Sequence, residues 1–295
     1  SVFGYFGHIK HGFGDRIKFN GNSYQIKAIA DQWDFSGYPN HPLIKEAEYG
    51  YHSIGKTDEK NDSILIIGDS HAYQYWNTLA DFVALQPELF QSKNIYLAGH
   101  PVVDLSIEII NIPESTKKIV LSYFWALQLN NPNVNTFIRC CGNGPGGVVG
   151  EEYKQIPKVE LEKRFEKIRS FIKEMKLRNI EGILVLDNPF GEELNAKSLL
   201  DIERSYKTTL LPNNNALLEL TREEALMRRE PTNSRLMQIV NEFQFDVIDP
   251  ILSLCDIEYC RKFNDEFGYL RYKDYDHLSL EAIRNEAHYI YEIFD

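Results

Sequence analysis

A continuous apolar run that ends in glycine constrains the fold of this chain more than any other feature. Residues 63–68 read Ser-Ile-Leu-Ile-Ile-Gly, with no alternation between polar and apolar positions. Such a strand is buried on both faces, which is typical of a parallel sheet covered by helices on each side. We interpret 95–97, 119–125, 183–186 and 246–250 as further strands, and 72–90, 159–177, 233–243 and 279–294 as helix-like segments. The alternation predicts a three-layer α/β/α domain with a mostly parallel sheet.

Two of the helical segments carry apolar stripes that would face the sheet. The segment 159–177 has one formed by Leu161, Phe165, Ile168, Ile172 and Met175. The final segment has another, formed by Leu280, Ile283, Ala287 and Ile290.

Three parts of the chain lack this patterning. Residues 1–61 are rich in glycine and aromatic residues, and we interpret them as an N-terminal extension that packs on the domain formed by residues 62–295. The polar, asparagine-rich stretch 190–231 is interpreted as an insertion. The glycine-rich stretch 141–150 lacks the Gly-Lys-Ser/Thr ending of a phosphate loop, so we predict a mobile surface loop there.

Charge and composition exclude several classes of protein. The 295 residues carry a formal net charge of −11 and are 43% hydrophobic. A chain of that composition can form a core, whereas nucleic acids and anionic membrane surfaces require a basic face. We therefore expect no nucleic-acid partner. No stretch approaches the roughly 18 apolar residues of a membrane-spanning helix.

The four cysteines permit three pairings, among which sequence alone cannot choose. Cys255 and Cys260 lie five positions apart in a polar loop, where a disulfide is feasible, whereas a bridge between the adjacent Cys140 and Cys141 would be strained. No Cys-x-x-Cys pair supports a zinc site instead. We expect the Cys255–Cys260 disulfide, and with it an oxidising compartment. Because the chain begins at Ser1 without methionine, we interpret it as a processed or excised fragment whose targeting signal lies elsewhere.

A candidate nucleophile follows the first buried strand. Residues 67–72 read Ile-Gly-Asp-Ser-His-Ala, which places Ser70 at a strand-to-helix turn, with its hydroxyl above the sheet edge. Gly68 permits the tight turn, and Asp69 is expected to hold it through backbone hydrogen bonds. Helix amino termini supply N–H groups to a developing oxyanion. The alternative is that Ser70 only caps the helix, a common role for serine there.

A candidate base lies just before the last helix, where residues 273–279 read Lys-Asp-Tyr-Asp-His-Leu-Ser. Asp274, three residues before His277, can reach its Nδ1 within one turn and orient Nε2 toward a serine. The neighbouring Asp276 side chain is expected to diverge. The alternatives are a histidine that flanks the Ser279 helix cap and a solvated carboxylate at Asp274.

Taken together, these segments resemble the SGNH hydrolase superfamily. Residues 68–72 are similar to the first block, and residues 274–279 to the last block, of the SGNH domains at the carboxyl end of membrane acyltransferase-3 (AT3) proteins. The strand 119–125 and the Cys255/Cys260 loop are also similar to theirs, so the resemblance covers residues 62–295. It implies a flavodoxin-like α/β/α fold and O-acetylation of a bacterial surface glycan, such as lipopolysaccharide O-antigen or peptidoglycan.

The resemblance also implies residue roles. Ser70 would be the nucleophile, His277 the general base and acid, and Asp274 the orienting carboxylate. The N–H of Gly99 would join that of Ser70 in the oxyanion hole. The third-block asparagine has no clear counterpart, and Asn130 is its candidate here. Trp125, His100 and the tyrosine-rich stretch 269–275 are candidates for contacts with sugars, with core or loop packing as the alternative.

A ping-pong reaction through an acyl-serine follows from these roles. The resemblance implies no metal or cofactor held by this chain, with acetyl supplied by the membrane domain or from acetyl-CoA upstream. It also implies a polysaccharide acceptor, an N-terminal AT3 membrane partner, and a periplasmic location tethered to the inner membrane.

Three other functions fit parts of the pattern. A secreted SGNH carbohydrate esterase would use the same residues. A glycan-binding module on a degenerate hydrolase fold would need none of them. A calcineurin-like metallophosphoesterase also begins with Gly-Asp-x-His after a strand, and would use Asp69 and His71 as metal ligands.

Overall fold

The computed structural model describes residues 41–100, 102–106, 110–129, 156–195 and 219–295, together with a short antiparallel pair, Lys18–Phe19 with Asn22–Ser23. Within these residues the central sheet has seven strands in the order β7-β6-β5-β3-β4-β2-β1. Strands β3 to β7 are parallel to one another, and β2 is antiparallel to both of its neighbours, β4 and β1. The strands are β1 Ile44–Glu46, β2 His52–Ile54, β3 Asp62–Gly68, β4 Lys93–Gly99, β5 Thr116–Ser122, β6 Glu181–Val185 and β7 Asp246–Ile248.

The strand order defines where a site can form. From β3 the chain crosses to β4 on one side, and the next strand, β5, lies on the other side of β3. Among the parallel strands this is the flavodoxin-like order, and the crevice beyond the carboxyl ends of β3 and β5 is its switch point. Ser70 lies two residues beyond β3, and Phe124 lies two residues beyond β5.

Helices cover both faces of the sheet, as the continuous apolar strand predicted. On β3, Ile64 and Ile66 join one core cluster, whereas Leu65 and Ile67 join the other. The first cluster includes residues of the helix Trp76–Leu85 and of the C-terminal segments, and the second includes residues of the helices Lys158–Leu177 and Thr232–Phe243. The helices are α1 Ser70–Tyr73, α2 Trp76–Leu85, α3 Trp125–Gln128, α4 Lys158–Leu177, α5 Arg222–Arg229, α6 Thr232–Phe243, α7 Ile251–Leu254 and α8 Leu280–Asn285.

Short elements complete the described chain. Two-residue strands pair Leu220–Thr221 with Tyr259–Cys260, and Phe263–Asn264 with Tyr269–Leu270. The 3₁₀ segments are Glu48–Gly50, Pro87–Phe90, Val102–Asp104, Glu192–Leu194 and His288–Phe294. Among the described helices, none combines the length and the hydropathy that a membrane span requires.

The predicted helices differ from the observed ones at their ends. The segment 72–90 is divided into α1, α2 and a 3₁₀ turn that begins at Pro87. The segment 279–294 is α8 followed by the 3₁₀ segment His288–Phe294. Ile283, Ala287 and Ile290 are buried as expected, but Leu280 is 40% exposed, because it begins α8 directly after the Ser279 cap.

The regions without periodicity contribute in different ways. Strands β1 and β2 come from the predicted extension 1–61 and form one edge of the main sheet beside β4. The stretch 190–231 contains the 3₁₀ turn Glu192–Leu194 and α5, which begins with a capping box between Thr221 and Glu224. Cys255 and Cys260 form the expected disulfide. Cys140, Cys141 and the glycine-rich stretch 141–150 lie outside the described residues.

Candidate active site

The turn after β3 presents Ser70, and Asp69 holds that turn. The Asp69 carboxylate caps α1 by accepting the backbone N–H of His71 at 3.0 Å. It also accepts the N–H of Phe124, at 3.1 Å, and the side-chain amide of Gln128, at 2.9 Å. Asp69 therefore ties the end of β3 to the segment after β5, as the sequence predicted, and the helix cap is Asp69 rather than Ser70.

Gly68 is required by a close approach between strands. A Cβ at this position would lie 1.8 Å from the backbone oxygen of Ser122 on β5. Glycine therefore lets β3 and β5 remain paired up to the residue where the chain turns toward Ser70.

Ser70, His277 and Asp274 lie in one hydrogen-bonded line. The Ser70 hydroxyl lies 2.8 Å from Nε2 of His277. On the other side of the ring, Nδ1 lies 3.0 Å from Oδ2 of Asp274 and 3.1 Å from its Oδ1. With Nδ1 donating to Asp274, Nε2 is left as the acceptor for the serine proton. This is the geometry required of a nucleophile, its base and the group that orients the base.

Asp274 also shapes the loop that carries the histidine. Its Oδ1 accepts the backbone N–H of Asp276 at 3.1 Å and that of His277 at 2.8 Å. The same carboxylate thus fixes both the backbone and the ring of His277. The alternative of a solvated loop carboxylate does not fit these contacts, because only 17% of the side chain is exposed.

Asp276 does not diverge from the histidine, and that expectation is wrong. Its side chain is 1% exposed, with Oδ1 3.3 Å from Nδ1 of His277. Its Oδ2 lies 3.2 Å from Nε2 of His71, whose ring is also buried. The two N–H bonds to Asp274 make the loop tight enough to place both carboxylates beside one imidazole.

The charges around His277 perturb its pKa. Burial by itself lowers the pKa of His277, but the negative charge of Asp276 and the hydrogen bond to Asp274 raise it well above its usual value. Burial likewise opposes ionisation of Asp276, yet contact with His277 and His71 holds its pKa well below the usual range. The two carboxylates therefore stabilise the imidazolium that His277 becomes when it accepts a proton.

Two polar residues that the sequence interpretation did not single out hold this loop against α1. Asn188 donates its side-chain amide to the backbone oxygen of Asp276 at 3.0 Å. The side-chain oxygen of Gln74 accepts the N–H of Leu278 at 3.1 Å. Asn188 follows the buried strand β6, and a polar residue at that end of a parallel strand is the signal that could have identified it.

The expected oxyanion donors are placed only in part. Gly99 pairs with Gly68 at the carboxyl ends of β4 and β3, and His100 donates its N–H to the Gly68 oxygen at 3.0 Å. Both residues therefore lie at the sheet edge that carries Ser70. Asn130 lies outside the described residues. The role of Gly99 as a donor stays a prediction, as does a contact between His100 and substrate.

The aromatic candidates for sugar stacking are buried. Trp125 is 1% exposed and donates its indole N–H to the Val185 oxygen at 2.8 Å, so its ring belongs to the core. Tyr269, Tyr272 and Tyr275 are each at most 8% exposed. This burial contradicts the expectation that these rings are platforms for a sugar.

One group of described side chains has the spacing of a metal site. His71, Asp276 and His277 each offer a ligand atom within 4.8 Å of the others. The ring nitrogen and carboxylate that join His71 to Asp276 already share a hydrogen bond, and both nitrogens of His277 face Ser70 and Asp274. Asp69, the other ligand expected of a metallophosphoesterase, is bonded to backbone N–H groups. The donor set fits proton transfer better than metal binding.

Comparisons with known proteins found similar solved structures at low sequence identity. The chain is similar to the periplasmic domain of a lipopolysaccharide acetyltransferase from Salmonella ser. Paratyphi A, with 15% identity over 99% of this chain and 94% of that one, and a TM-score of 0.45. It is also similar to a GDSL-like lipase from Bacteroides thetaiotaomicron, with 11% identity over 81% of this chain and 87% of that one, and a TM-score of 0.35. No curated protein matches the sequence significantly.

Family membership rests on a sequence match instead. The model of one family, described as the SGNH domain fused to AT3 domains, matches residues 39–291. The match begins before β1, ends within the C-terminal 3₁₀ segment, and includes Ser70, Asp274 and His277. The chain therefore belongs to the family of SGNH domains that are fused to AT3 domains.

Proposed function

We propose that this chain is an extracytoplasmic O-acetyltransferase domain, which moves an acetyl group through Ser70 to a sugar hydroxyl of a bacterial surface polysaccharide. The observation that carries the proposal is the line from Ser70 Oγ to His277 Nε2, at 2.8 Å, and from His277 Nδ1 to Asp274, at 3.0 Å. It supports an acyl-transfer or ester-cleaving enzyme with a serine nucleophile.

In the first half-reaction, His277 Nε2 takes the proton of Ser70 as the serine oxygen attacks the acyl carbonyl carbon. The tetrahedral intermediate carries a negative oxygen, for which the N–H groups of Ser70 and Gly99 are the proposed donors. Collapse breaks the bond to the donor's leaving group, to which His277 returns the proton. An acetyl-serine ester remains.

In the second half-reaction, a sugar hydroxyl gives its proton to His277 and attacks the ester carbon. A second tetrahedral intermediate collapses, the bond to Ser70 breaks, and His277 returns the proton to the serine. The sugar leaves as its acetyl ester and Ser70 is regenerated. Asp274 orients the ring throughout and stabilises the imidazolium that forms twice in each cycle.

Support for transfer rather than hydrolysis comes from the family, whose members are fused to AT3 domains. We propose that the membrane domain supplies the acetyl group, that this chain itself holds no cofactor, and that it works in the periplasm, tethered to the inner membrane. The Cys255–Cys260 disulfide supports an oxidising compartment. A lipopolysaccharide O-antigen or a similar glycan is the proposed acceptor.

Intact-mass spectrometry after incubation with p-nitrophenyl acetate tests the proposal. The wild type should gain one acetyl group, mapped by peptide analysis to Ser70, and Ser70→Ala should gain none. Ser253→Ala removes an exposed serine on α7 and is the matched control, expected to behave as the wild type.

A second incubation includes an oligosaccharide acceptor. Acetyl on the sugar supports transfer, whereas acetate alone supports the secreted esterase. Equal labelling of the wild type and Ser70→Ala would contradict the serine mechanism. Unlabelled wild type, both alone and joined to its membrane domain, would favour the glycan-binding module.

A further inference from the structure

A second carboxylate and a second histidine lie behind the proposed base. Asp276 uses one oxygen toward each imidazole: Oδ1 lies 3.3 Å from Nδ1 of His277, and Oδ2 lies 3.2 Å from Nε2 of His71. Within the described residues, Oδ1 has no hydrogen-bond donor, although it is buried. The Nδ1 proton can serve only one acceptor well, and Asp274 has the shorter contacts.

This arrangement creates an electrostatic problem for a general base. His277 must be neutral to accept the serine proton, yet two carboxylates face the same side of its ring. An opposite charge within about 4–6 Å favours the charged form of a titratable group, so both carboxylates favour the imidazolium form of His277. With both carboxylates uncompensated, His277 would stay protonated and could not accept the proton of Ser70.

The surroundings of His71 suit a positive charge that offsets one of them. Its ring stacks on Phe124, with the centroids 4.7 Å apart and the planes inclined by 3°. The face of a phenyl ring is negative and attracts a cation at this distance. The His71 ring is also 4.9 Å from that of His277, so a charge on His71 would oppose a second charge on His277.

We propose that His71 is an imidazolium paired with Asp276, and that this pair is a positioning and charge-balancing device which keeps His277 available as the base. The inference rests on the proposed role of His277. Asp276, together with Asp274, fixes the position of Nδ1 of His277. The positive charge of His71 compensates the negative charge that Asp276 adds beside that ring. Neither residue touches substrate in this scheme, and both act through His277.

Charged and titratable groups on each packed element face the pair. Asp274 and Asp276 come from the loop before α8, and Asp69 accepts the backbone N–H of His71 at the start of α1. Asp187, after β6, is close enough to His71 for that histidine to lower its pKa, against the larger opposing effect of burial. Asp69 and Asp187 therefore join Asp274 and Asp276 as the acidic groups around the pair.

Nitrogen-15 NMR of the histidine side chains tests the proposal without an activity assay. Near neutral pH, His71 should show two protonated ring nitrogens and His277 should show its own titration, each assigned by the signal lost in a variant. His71→Gln keeps an amide N–H for Asp276 but cannot carry charge, and should raise the pKa of His277 by about one unit. Asp276→Asn should lower that pKa.

Kinetics provide the second readout. The acid limb of kcat/KM for p-nitrophenyl acetate should move to higher pH in His71→Gln and to lower pH in Asp276→Asn, with KM unchanged. His288→Gln alters an exposed histidine whose Nε2 faces the Asn285 backbone oxygen, and should move neither readout.

A neutral His71 in the wild type would overturn the proposal. An unchanged pKa of His277 in His71→Gln would also overturn it, because that result would show that His71 acts only as a hydrogen-bond donor. If Asp276→Asn fails to fold, two measurements still test the proposal. They are the protonation of the ring nitrogens of His71 in the wild type and the titration of His277 in His71→Gln. If the wild type turns over no ester, either alone or joined to its membrane domain, the proposed function fails, whereas the NMR result stands on its own.

Discussion

The Ser70 hydroxyl and the His277 ring lie 2.8 Å apart although 207 positions separate them in the chain. They meet because Ser70 begins α1 at the carboxyl end of β3, while His277 precedes α8, which packs on the same side of the sheet as α2. Asn188 and Gln74 then fasten the histidine loop to the helix that follows the serine. The proposed chemistry thus depends on the switch point between β3 and β5 rather than on local sequence.

Replacing Asp274 should show whether this residue serves to orient the His277 ring or to stabilise the fold. Asp274→Asn keeps an oxygen for the backbone N–H groups of Asp276 and His277 but removes the charge beside Nδ1. We expect kcat for p-nitrophenyl acetate to fall by about three to four orders of magnitude, as in other triads with a misoriented histidine. The melting temperature should change little. A variant that retains more than a tenth of the wild-type kcat would show that Asp276 can replace Asp274 as the orienting group.

The paired glycines at the sheet edge should respond differently to alanine. At Gly68 the new Cβ meets the Ser122 backbone, whereas at Gly99 it would lie 1.5 Å from the hydroxyl oxygen of Tyr73. Gly68→Ala should cost about 1–3 kcal/mol, as overpacking does, with no side chain able to relieve it. Gly99→Ala should be destabilising alone and partly rescued by Tyr73→Ala. Urea unfolding of the single and double variants measures the coupling, and strictly additive effects would contradict this account.

Residues at element boundaries were the part of the site that sequence could identify. Ser70 follows an uninterrupted apolar run, and Asp274 and His277 lie three to six residues before a helix that Ser279 caps. Parallel strands deliver such residues to one edge, so type and position together were informative. The disulfide could be predicted for a similar reason, because its two cysteines lie close in sequence.

Side-chain direction inside loops and at strand ends could not be read in this way. The direction of Asp276 depends on two backbone bonds to Asp274 that no periodic pattern encodes. The sequence around Trp125 does not show whether its ring faces a ligand or the core. Its hydrogen bond to the Val185 oxygen places the ring in the core. The change from α8 to a 3₁₀ segment is similarly hidden, since both place apolar residues three or four positions apart.

Removing the disulfide should lower stability measurably. Cys255 ends α7 and Cys260 belongs to the strand that pairs with Leu220–Thr221, so the bond closes a short loop at the domain surface. Chain-entropy arguments give about 2 kcal/mol for a loop of this length. The Cys255→Ser/Cys260→Ser variant should therefore unfold at lower urea concentration than the oxidised wild type. Equal urea midpoints for the two proteins would mean that hydrogen bonds hold the loop without the disulfide as firmly as the disulfide does.

Chelation should leave ester cleavage unchanged. The nitrogens and oxygens of His71, Asp276 and His277 are engaged with one another and with Ser70 and Asp274. Activity toward p-nitrophenyl acetate measured before and after dialysis against EDTA should be equal. A loss that added zinc or manganese restores would instead favour the metal-dependent alternative.

Asp187 should make the stability of the domain depend on pH in a direction opposite to that of most carboxylates. It is buried beneath α3, where it accepts the N–H groups of Trp125 at 2.6 Å and Ala126 at 3.1 Å. Burial raises its pKa to about 7, although His71 and Arg229 lower it. Since the folded state binds this proton more tightly than the unfolded chain, the added stability is complete below about pH 4 and is lost as pH rises through about 7.

The free energy of unfolding should fall relative to Asp187→Asn by up to about 1.4 kcal/mol per pH unit within that window, and the difference should level off above it. Urea unfolding of both proteins from pH 5 to pH 8 measures this difference, and a gap that stays constant across the series would show that Asp187 is ionised in the folded protein throughout.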